Sequence, residues 1–205
     1  MKYIKTFERA KTIDPFIQAA KRGSSSKIRE IIKNGVDINM QDGEQKTALM
    51  YASLYKFLMV VDILIKAGAD VNLQDFNKRS ALFMASTPSI INKLLDAGID
   101  VNIQNNEGDT AIMEFIKYWS HWSPFEMILL LRKFLEKGLD VYIENNEHLT
   151  FYGILKDYQE KEKIKSTNTN QYILWLNLIL DTLDNEFPEM KKDWELKNDM
   201  KKYNL

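Results

Sequence analysis

The chain has 205 residues, of which 45% are apolar and 28% charged, a composition typical of a folded protein with a buried core. Its formal net charge of -1 argues against a general nucleic-acid binder, which needs a basic surface to meet phosphates. It contains no cysteine, which excludes disulfides and thiolate metal sites.

The N-terminal residues 1–13 alternate charged and apolar side chains and lack the apolar run of a secretory signal. The most apolar stretch, residues 172–180, is interrupted by Asn177 and is too short to span a bilayer. We therefore expect a cytoplasmic or otherwise intracellular protein with no membrane association. Residues 1–13 are expected to cover the first structural unit.

A phrase of the form Gly-x-Asp-x-Asn recurs along the chain, beginning at Gly35, Gly68, Gly98 and Gly138. These glycines lie 33, 30 and 40 residues apart, and Tyr142 replaces the asparagine in the last copy. Self-similarity at this period predicts stacked supersecondary units that each contact mainly their neighbours. Glycine tolerates the left-handed conformation found after helix C-termini, so each phrase is expected to end a helix.

Residues 42–74 show the elements of one unit most clearly. Thr47 precedes the helix-forming stretch Ala48–Ala52 and is expected to cap it. After a turn, residues 59–66 form a second, apolar helix. The aspartate of each phrase, such as Asp70, recurs once per unit, so we expect it to accept backbone N–H groups of its own turn.

Three units depart from this pattern. The third is three residues short, and its helix connection is reduced to residues 86–89. The fourth is seven residues longer than the period of 33 and contains an aromatic segment, residues 117–125. The fifth carries a charged insertion at residues 159–170, after which an apolar second helix is expected to open near Tyr172.

The helix-turn-helix-loop unit resembles the ankyrin repeat, whose signature is Thr-Pro-Leu-His-x-Ala. Thr47-Ala48-Leu49-Met50-Tyr51-Ala52 occupies the signature position, as do residues 80–85 and 110–115 in the next units, although no unit keeps the histidine. The resemblance implies an all-α, ankyrin-type helix-turn-helix-loop solenoid with a C-terminal capping helix.

The predicted boundaries follow from the phrases. They are an N-terminal cap segment at 1–13, a repeat stack at 14–183 (units near 14–41, 42–74, 75–104, 105–144 and 145–183), and a charged C-terminal helix at 184–205. In that last helix, Met190, Trp194 and Met200 form a narrow apolar stripe. The stripe either caps the last repeat, which we expect, or binds a partner.

The resemblance implies binding of another protein through the concave face and loop tips, by scaffolding or by inhibition through occupancy. The candidate contact residues by position are Lys46, Tyr55, Phe76, Asn77, Arg79, Glu107, Asp109, Tyr118, Trp119, Trp122 and Leu149. Phe76 either anchors a partner or folds back over its own hairpin. Trp119, Trp122 and Phe125 either remain accessible or fill the junction before the fifth unit. Charge reversal at Arg79 is expected to abolish partner capture without changing the melting temperature.

No motif predicts catalysis. His121 and His148 lack the spaced cysteines or carboxylates of a metal site, and adjacent Ser120 and His121 do not form a spatial triad. We expect no enzyme activity, no metal, no cofactor and no nucleic-acid partner. We expect a monomer rather than a homo-oligomer. The alternative function is a structural component that self-associates through its C-terminal helix.

Overall fold

The computed structural model describes residues 14–118, 124–165 and 171–203. Within these ranges the chain forms eleven helices, and its strand-type pairing is confined to isolated bridges, Gln41 with Thr47 and Glu144 with Thr150. The helices are α1 Pro15–Lys21, α2 Ser25–Lys33, α3 Ala48–Leu54, α4 Leu58–Lys66, α5 Ala81–Met84, α6 Pro88–Asp96, α7 Ala111–Tyr118, α8 Pro124–Glu136, α9 Phe151–Lys165, α10 Gln171–Glu186 and α11 Pro188–Tyr203. The prediction of an all-α protein is confirmed.

The chain divides into two compact units, with the division between Asn106 and Glu107. In the first unit, the first helices of successive repeats (α1, α3, α5) pack on one another, as do the second helices (α2, α4, α6). Leu49 and Leu82 from the first layer and Leu64 and Leu94 from the second are fully buried. Each repeat therefore completes its core with its neighbours, as expected for stacked repeats.

Hydroxyl and carboxylate side chains begin several helices. The backbone N–H of Met50 donates to Thr47 Oγ1 at 3.2 Å, which confirms the predicted cap, and the N–H of Phe16 donates to Asp14 Oδ1 at 2.7 Å. Ser80 and Thr110 occupy the same position in later repeats, but in the described structure their buried hydroxyls have no hydrogen-bond partner. The same signature position therefore stabilises some helices and not others.

The recurrent phrase ends the second helices as predicted. Gly68 has a φ of 89°, and its N–H and that of Ala69 donate to Ile65 O and Leu64 O, both at 3.0 Å. This pair of hydrogen bonds requires a residue in the left-handed conformation, which glycine adopts without strain. Two residues later, Asp70 Oδ1 accepts the N–H of Asn72 at 2.9 Å. The same Asp-to-N–H bond forms at Asp37, Asp100 and Asp140, so the predicted structural role of the four aspartates is confirmed.

The third repeat is shortened within its first helix. α5 has only 4 residues, and Ala85 is already extended with a ψ of 126°. Pro88 and Ser89, expected in the connection, instead open α6, because proline is favoured in the first helical turn, where its missing N–H is not needed. The connection is therefore residues 85–87, and α5 has no counterpart of the last turn of α3.

The fourth and fifth repeats correct two further expectations. Part of the extra length of the fourth repeat lies in α8, which has 13 residues where α4 has 9, and Phe125 is in its first turn rather than in a loop. In the fifth repeat, Gln159 to Lys165 continue α9, because the Lys and Glu residues of this segment are good helix formers. α10 opens at Gln171, next to the expected position.

The C-terminal helix α11 packs on α9 and α10 within the second compact unit. Met190 is buried, whereas the side chain of Met200 lies outside the described residues, as does the predicted cap segment 1–13. Over the ranges that the structure describes, no helix combines the length and the apolar character needed to cross a membrane.

The two threonines that open first helices give a matched test of capping. Thr47→Val should lower the free energy of unfolding by about 1 kcal/mol, because it removes a helix cap. Thr110→Val should leave it unchanged or raise it, because the buried hydroxyl that it removes has no partner in the described structure. Urea unfolding followed by circular dichroism measures both; equal losses would contradict this difference.

Candidate protein-binding surface

A hairpin tip precedes the first helix of each repeat from the second to the fifth, and each tip takes the number of its repeat. The tips share a second repeated pattern, which was not predicted from the sequence. Asp42 Oδ1 accepts the N–H groups of Glu44 and Lys46 at 2.9 and 3.1 Å. Asp75 and Asn145 brace their own tips in the same way. The residue three positions later has a positive φ in each tip, at Gln45, Lys78, Gly108 and His148. The 33-residue spacing of Asp42 and Asp75 is the signal that could have revealed the pattern.

Backbone hydrogen bonds join neighbouring tips. In the first compact unit, the N–H of Phe76 donates to Glu44 O at 3.3 Å, and the N–H of Asn106 donates to Asn77 O at 3.0 Å. The side-chain amide of Asn106 also donates to Phe76 O at 3.2 Å. These bonds hold the second, third and fourth tips in a fixed register. In the second unit the corresponding bond joins Asn146 N–H to Glu107 O at 3.0 Å.

Phe76 is the most exposed aromatic side chain in the described part of the first unit, at 61% of its full accessible area. Its backbone is bonded to both neighbouring tips, yet its ring contacts no other aromatic ring among the described residues. The ring therefore lies mainly in solvent on a fixed backbone. Asn77 is exposed beside it.

Arg79, predicted as a contact residue, is engaged within its own tip. Its Nε and Nη2 donate to Asp75 Oδ2 at 3.2 and 3.0 Å. Asp75 is buried, so the guanidinium neutralises a carboxylate that water cannot reach. The expectation that charge reversal at Arg79 leaves melting unchanged is therefore corrected: this residue also stabilises the tip.

Tyr51 connects the second tip to the face of the first helices. Its hydroxyl donates to Asp42 Oδ2 at 2.7 Å, and the Lys21 ammonium lies 4.0 Å from its ring centroid. The ring of Tyr55 stacks on Tyr51, with centroids 6.3 Å apart and planes 11° apart. Tyr51 is buried and Tyr55 half-exposed, so Tyr55 presents the outer ring of the stack. Lys46 is held at the edge of this cluster by its ion pair with Glu44 at 2.7 Å.

Opposing effects set the pKa values of Asp42 and Tyr51. Burial alone would raise the pKa of Asp42, but the Tyr51 hydroxyl, two backbone N–H groups and the Lys21 charge lower it below the ordinary value of 3.8. Burial, and then the hydrogen bond to the Asp42 carboxylate, raise the pKa of Tyr51 above its ordinary value. The pair is thus a neutral hydroxyl donating to a carboxylate at neutral pH.

In the second compact unit, Asp109 was expected at an exposed tip, but the structure places it in the interior. It forms an ion pair with Lys117 and accepts a hydrogen bond from Asn145 Nδ2 at 2.8 Å. Burial alone would lower the pKa of Lys117, but the bond to Asp109 and the charges of Asp109, Glu107 and Glu147 raise it. Asp109 therefore links two tips, as the polar residues of the first unit do.

The remaining candidates of this unit differ in accessibility. Glu107 is exposed, and Leu149 is half-buried with its backbone bonded to Asn145. Trp119, His121, Trp122 and the side chain of Tyr118 lie outside the described residues. Phe125, at the start of α8, is 70% exposed and so does not fill a junction. His148 is an exposed surface residue, and its Nδ1 lies 3.5 Å from Glu144 Oε2.

Within the apolar stripe of α11, Trp194 contacts the fifth repeat. The Trp194 ring meets Tyr152 edge-on, with centroids 6.4 Å apart. A Cβ added at Gly153 would lie 3.4 Å from Trp194 Cδ1, so the glycine lets the indole approach α9 closely. The Tyr152 hydroxyl donates to Asp184 Oδ1 at 2.5 Å, and Lys191 pairs with the same carboxylate at 3.2 Å. These contacts use Trp194 within the chain.

The candidate surface of the described residues thus consists of exposed aromatic rings and braced polar tips. Among the described residues, no group of three or more His, Cys, Asp and Glu side chains is placed to hold a metal ion.

Comparison with known protein families finds a similarity that falls within the first compact unit. Residues 16–105 match the family model for ankyrin repeats, in three copies. The match covers α1 to α6 and the tips at Asp42 and Asp75. No curated protein matches the chain.

The Tyr51–Asp42 pair predicts a specific pH dependence. Because the pKa of Asp42 is lower in the folded than in the unfolded chain, the pair contributes stability above about pH 4 that is lost as the pH falls through the folded pKa. Tyr51→Phe should cost about 1.5 kcal/mol at pH 7 and less at low pH, where Asp42 is protonated. Chemical denaturation at several pH values measures this. Tyr55→Phe, which removes an exposed hydroxyl, is the control and should show no such pH dependence.

Removal of the Arg79 guanidinium should destabilise the third tip. Arg79→Ala should cost about 1–3 kcal/mol in the free energy of unfolding, because the buried Asp75 carboxylate loses its charged partner. Lys78→Ala, an exposed neighbour, should change stability by no more than about 0.5 kcal/mol. If the two variants unfold alike, the Asp75 pair does not stabilise the tip.

The two α11 residues Trp194 and Leu196 distinguish capping from self-association. Trp194→Asp should lower the free energy of unfolding by about 2 kcal/mol, because it places a charge against Tyr152. Leu196→Asp, at a position 62% exposed, should have little effect. Light scattering should find wild type and both variants monomeric. A dilution-resistant oligomer that Trp194→Asp dissociates would instead support self-association.

Proposed function

Because residues 16–105 match the family model for ankyrin repeats, we propose that this chain binds another protein through hairpin tips and the first-helix face of these repeats. Ankyrin repeats are in general protein-interaction modules. We propose binding without catalysis, by a monomer, inside the cell. The partner is scaffolded, or inhibited by occupancy.

The observation that carries this proposal is the exposed Phe76 side chain on a tip whose backbone is bonded on both sides. An aromatic ring on a fixed backbone loses little conformational entropy when it enters a partner's pocket, and such rings are frequent hot spots of interfaces. Because most of the Phe76 surface is already exposed, moving its ring into a partner's pocket breaks few internal contacts. Phe76 is thus suited to be the central anchor.

The surroundings of Phe76 have the character of an interface rim. Asn77 and Lys78 are exposed next to it, and Glu44 is exposed on the preceding tip. Polar, hydrated side chains around an apolar centre are the usual arrangement of non-obligate interfaces. Lys46 and Tyr55 extend this surface from the second tip along α3. We propose that these residues set the orientation of the partner rather than most of the affinity.

The tip surface is tested with Phe76→Ala and a matched control. Partners are captured by cross-linking in the native host, and the affinity of the purified partner is then measured by calorimetry. Phe76→Ala should weaken binding by about 2 kcal/mol or more, as expected for a hot spot, without changing the melting temperature. Leu129→Ala, at an exposed position on α8 in the other compact unit, should bind like wild type. Unchanged binding of Phe76→Ala would contradict the proposal.

The alternative, self-association through the C-terminal helix, requires the stripe of α11 to be available. Met190 is buried, and Trp194 contacts Tyr152 of the same chain. The burial of Met190 and the contact of Trp194 both favour capping of the fifth repeat. Among the described residues, no contact favours self-association over the binding of another protein.

A further inference from the structure

Four exposed apolar side chains lie together at the turn between α3 and α4. Leu54, Tyr55, Leu58 and Met59 are 39%, 48%, 39% and 63% exposed. We call them the turn patch. They fall within six consecutive positions, whereas among the other large exposed apolar side chains of the described residues only Phe125 and Leu129 lie within one helical turn of each other. Such clustering is typical of an interaction site rather than of chance exposure.

The backbone of the turn patch is fixed. The N–H of Phe57 donates to Ala52 O at 2.9 Å, and that of Lys56 to Ser53 O at 3.3 Å. Lys56 has a φ of 64°, so it holds the left-handed position that glycine usually occupies at such a helix end. The patch is therefore presented in one conformation, which lowers the entropy cost of binding.

The exposure arises because the two neighbouring repeats differ. Toward the first repeat, the Phe57 ring packs against Gly23, where an added Cβ would lie only 2.6 Å from the ring. Toward the third repeat, α5 ends at Met84 and Ala85 is extended, so nothing in that repeat corresponds to Leu54 and Tyr55. The third repeat thus lacks about one helical turn beside the end of α3, and we call the resulting recess the step.

The charges nearest this step are basic. Residues 19–26, 52–59 and 85–92, which span the turns of the first three repeats and the adjoining helix ends, contain Lys21, Arg22 and Lys56 but no aspartate or glutamate. Asp62, one helical turn beyond Met59 on α4, is paired with Lys66 and Lys93. Lys21 is paired with Asp42 at 3.8 Å. Within the described ranges, Arg22 and Lys56 form no ion pair. On a chain of net charge -1, this edge is locally basic.

We propose that the turn patch is a second docking surface, which receives an acidic amphipathic helix of a partner protein. A helical turn fits the step because a helical turn is the element that the third repeat lacks. Apolar side chains at helical spacing would cover Leu54, Tyr55, Leu58 and Met59, and carboxylates beside them would meet Lys56 and Arg22. This surface shares Tyr55 with the tip surface but does not include Phe76 or Lys46, so substitutions at Met59 and Lys56 test it separately.

An anionic bilayer is the other surface that apolar and basic side chains suit. A protein segment is favoured because the patch is confined to four side chains at a step, whereas membrane-binding faces extend along a whole amphipathic helix. The test below separates the two.

The test begins with the full chain as bait in a selection from random displayed peptides long enough for several helical turns. Enriched peptides should carry large apolar residues at helical spacing with Asp or Glu beside them. Fluorescence anisotropy of the best peptide should then show binding at least about tenfold weaker for Met59→Ser and for Lys56→Gln. Phe76→Ala should bind the peptide like wild type. A peptide copy with amides in place of its carboxylates should lose most of its affinity.

Both substituted positions are exposed, and circular dichroism verifies folding; Arg22→Gln provides a second charge variant. Enrichment of basic or purely apolar peptides would overturn the proposal. It would also fail if binding depended on Phe76 but not on Met59 or Lys56. Vesicles of phosphatidylserine and phosphatidylcholine should not sediment the chain; sedimentation that Met59→Ser abolishes would assign the patch to membranes instead.

Discussion

Each repeat of this protein is incomplete without its neighbour, and one hydrogen bond expresses that constraint most directly. The side-chain oxygen of Asn39 accepts the N–H of Asp70 at 2.8 Å, and Asn72 accepts that of Asp100 at the same distance. The first two phrases therefore bind their own turns through their aspartates and the next turns through their asparagines. Because these bonds consume backbone groups that have few other partners in a loop, a shift in register would leave them unsatisfied.

Bonds within and between repeats also distinguish structural residues from candidate binding residues. Asp75, Arg79 and Asp109 are polar residues at tips, yet each is engaged within a tip or between tips. Large apolar side chains that remain exposed are then conspicuous, and in the described part of the first compact unit they are Phe76 and the turn patch. One lies on a tip that keeps the repeat pattern, and the other lies where the third repeat departs from it.

The repeat phrases allowed much of this architecture to be predicted from sequence, because glycine, aspartate and asparagine act locally in their own turns. The cap at Thr47 was predicted for the same reason, whereas the opening of α10 near Tyr172 was predicted from the apolar run that follows the charged insertion. Burial depends on packing across repeats, so the interior position of Asp109 and the Arg79–Asp75 pair were not predictable from spacing. The shortening of α5 was visible as missing residues, but only the structure shows that a helical turn was lost.

Amide hydrogen exchange of the full chain, read by NMR, tests most directly whether neighbouring repeats are fastened through their loops. The informative amides are those of Phe76 and Asn106, which join successive tips, and those of Asp70 and Asp100, which join successive phrases. All four amides are expected to exchange slowly, through the same cooperative opening that exposes the helix amides of α3. Fast exchange at these four positions while α3 stays protected would show that neighbouring repeats are not coupled through their loops.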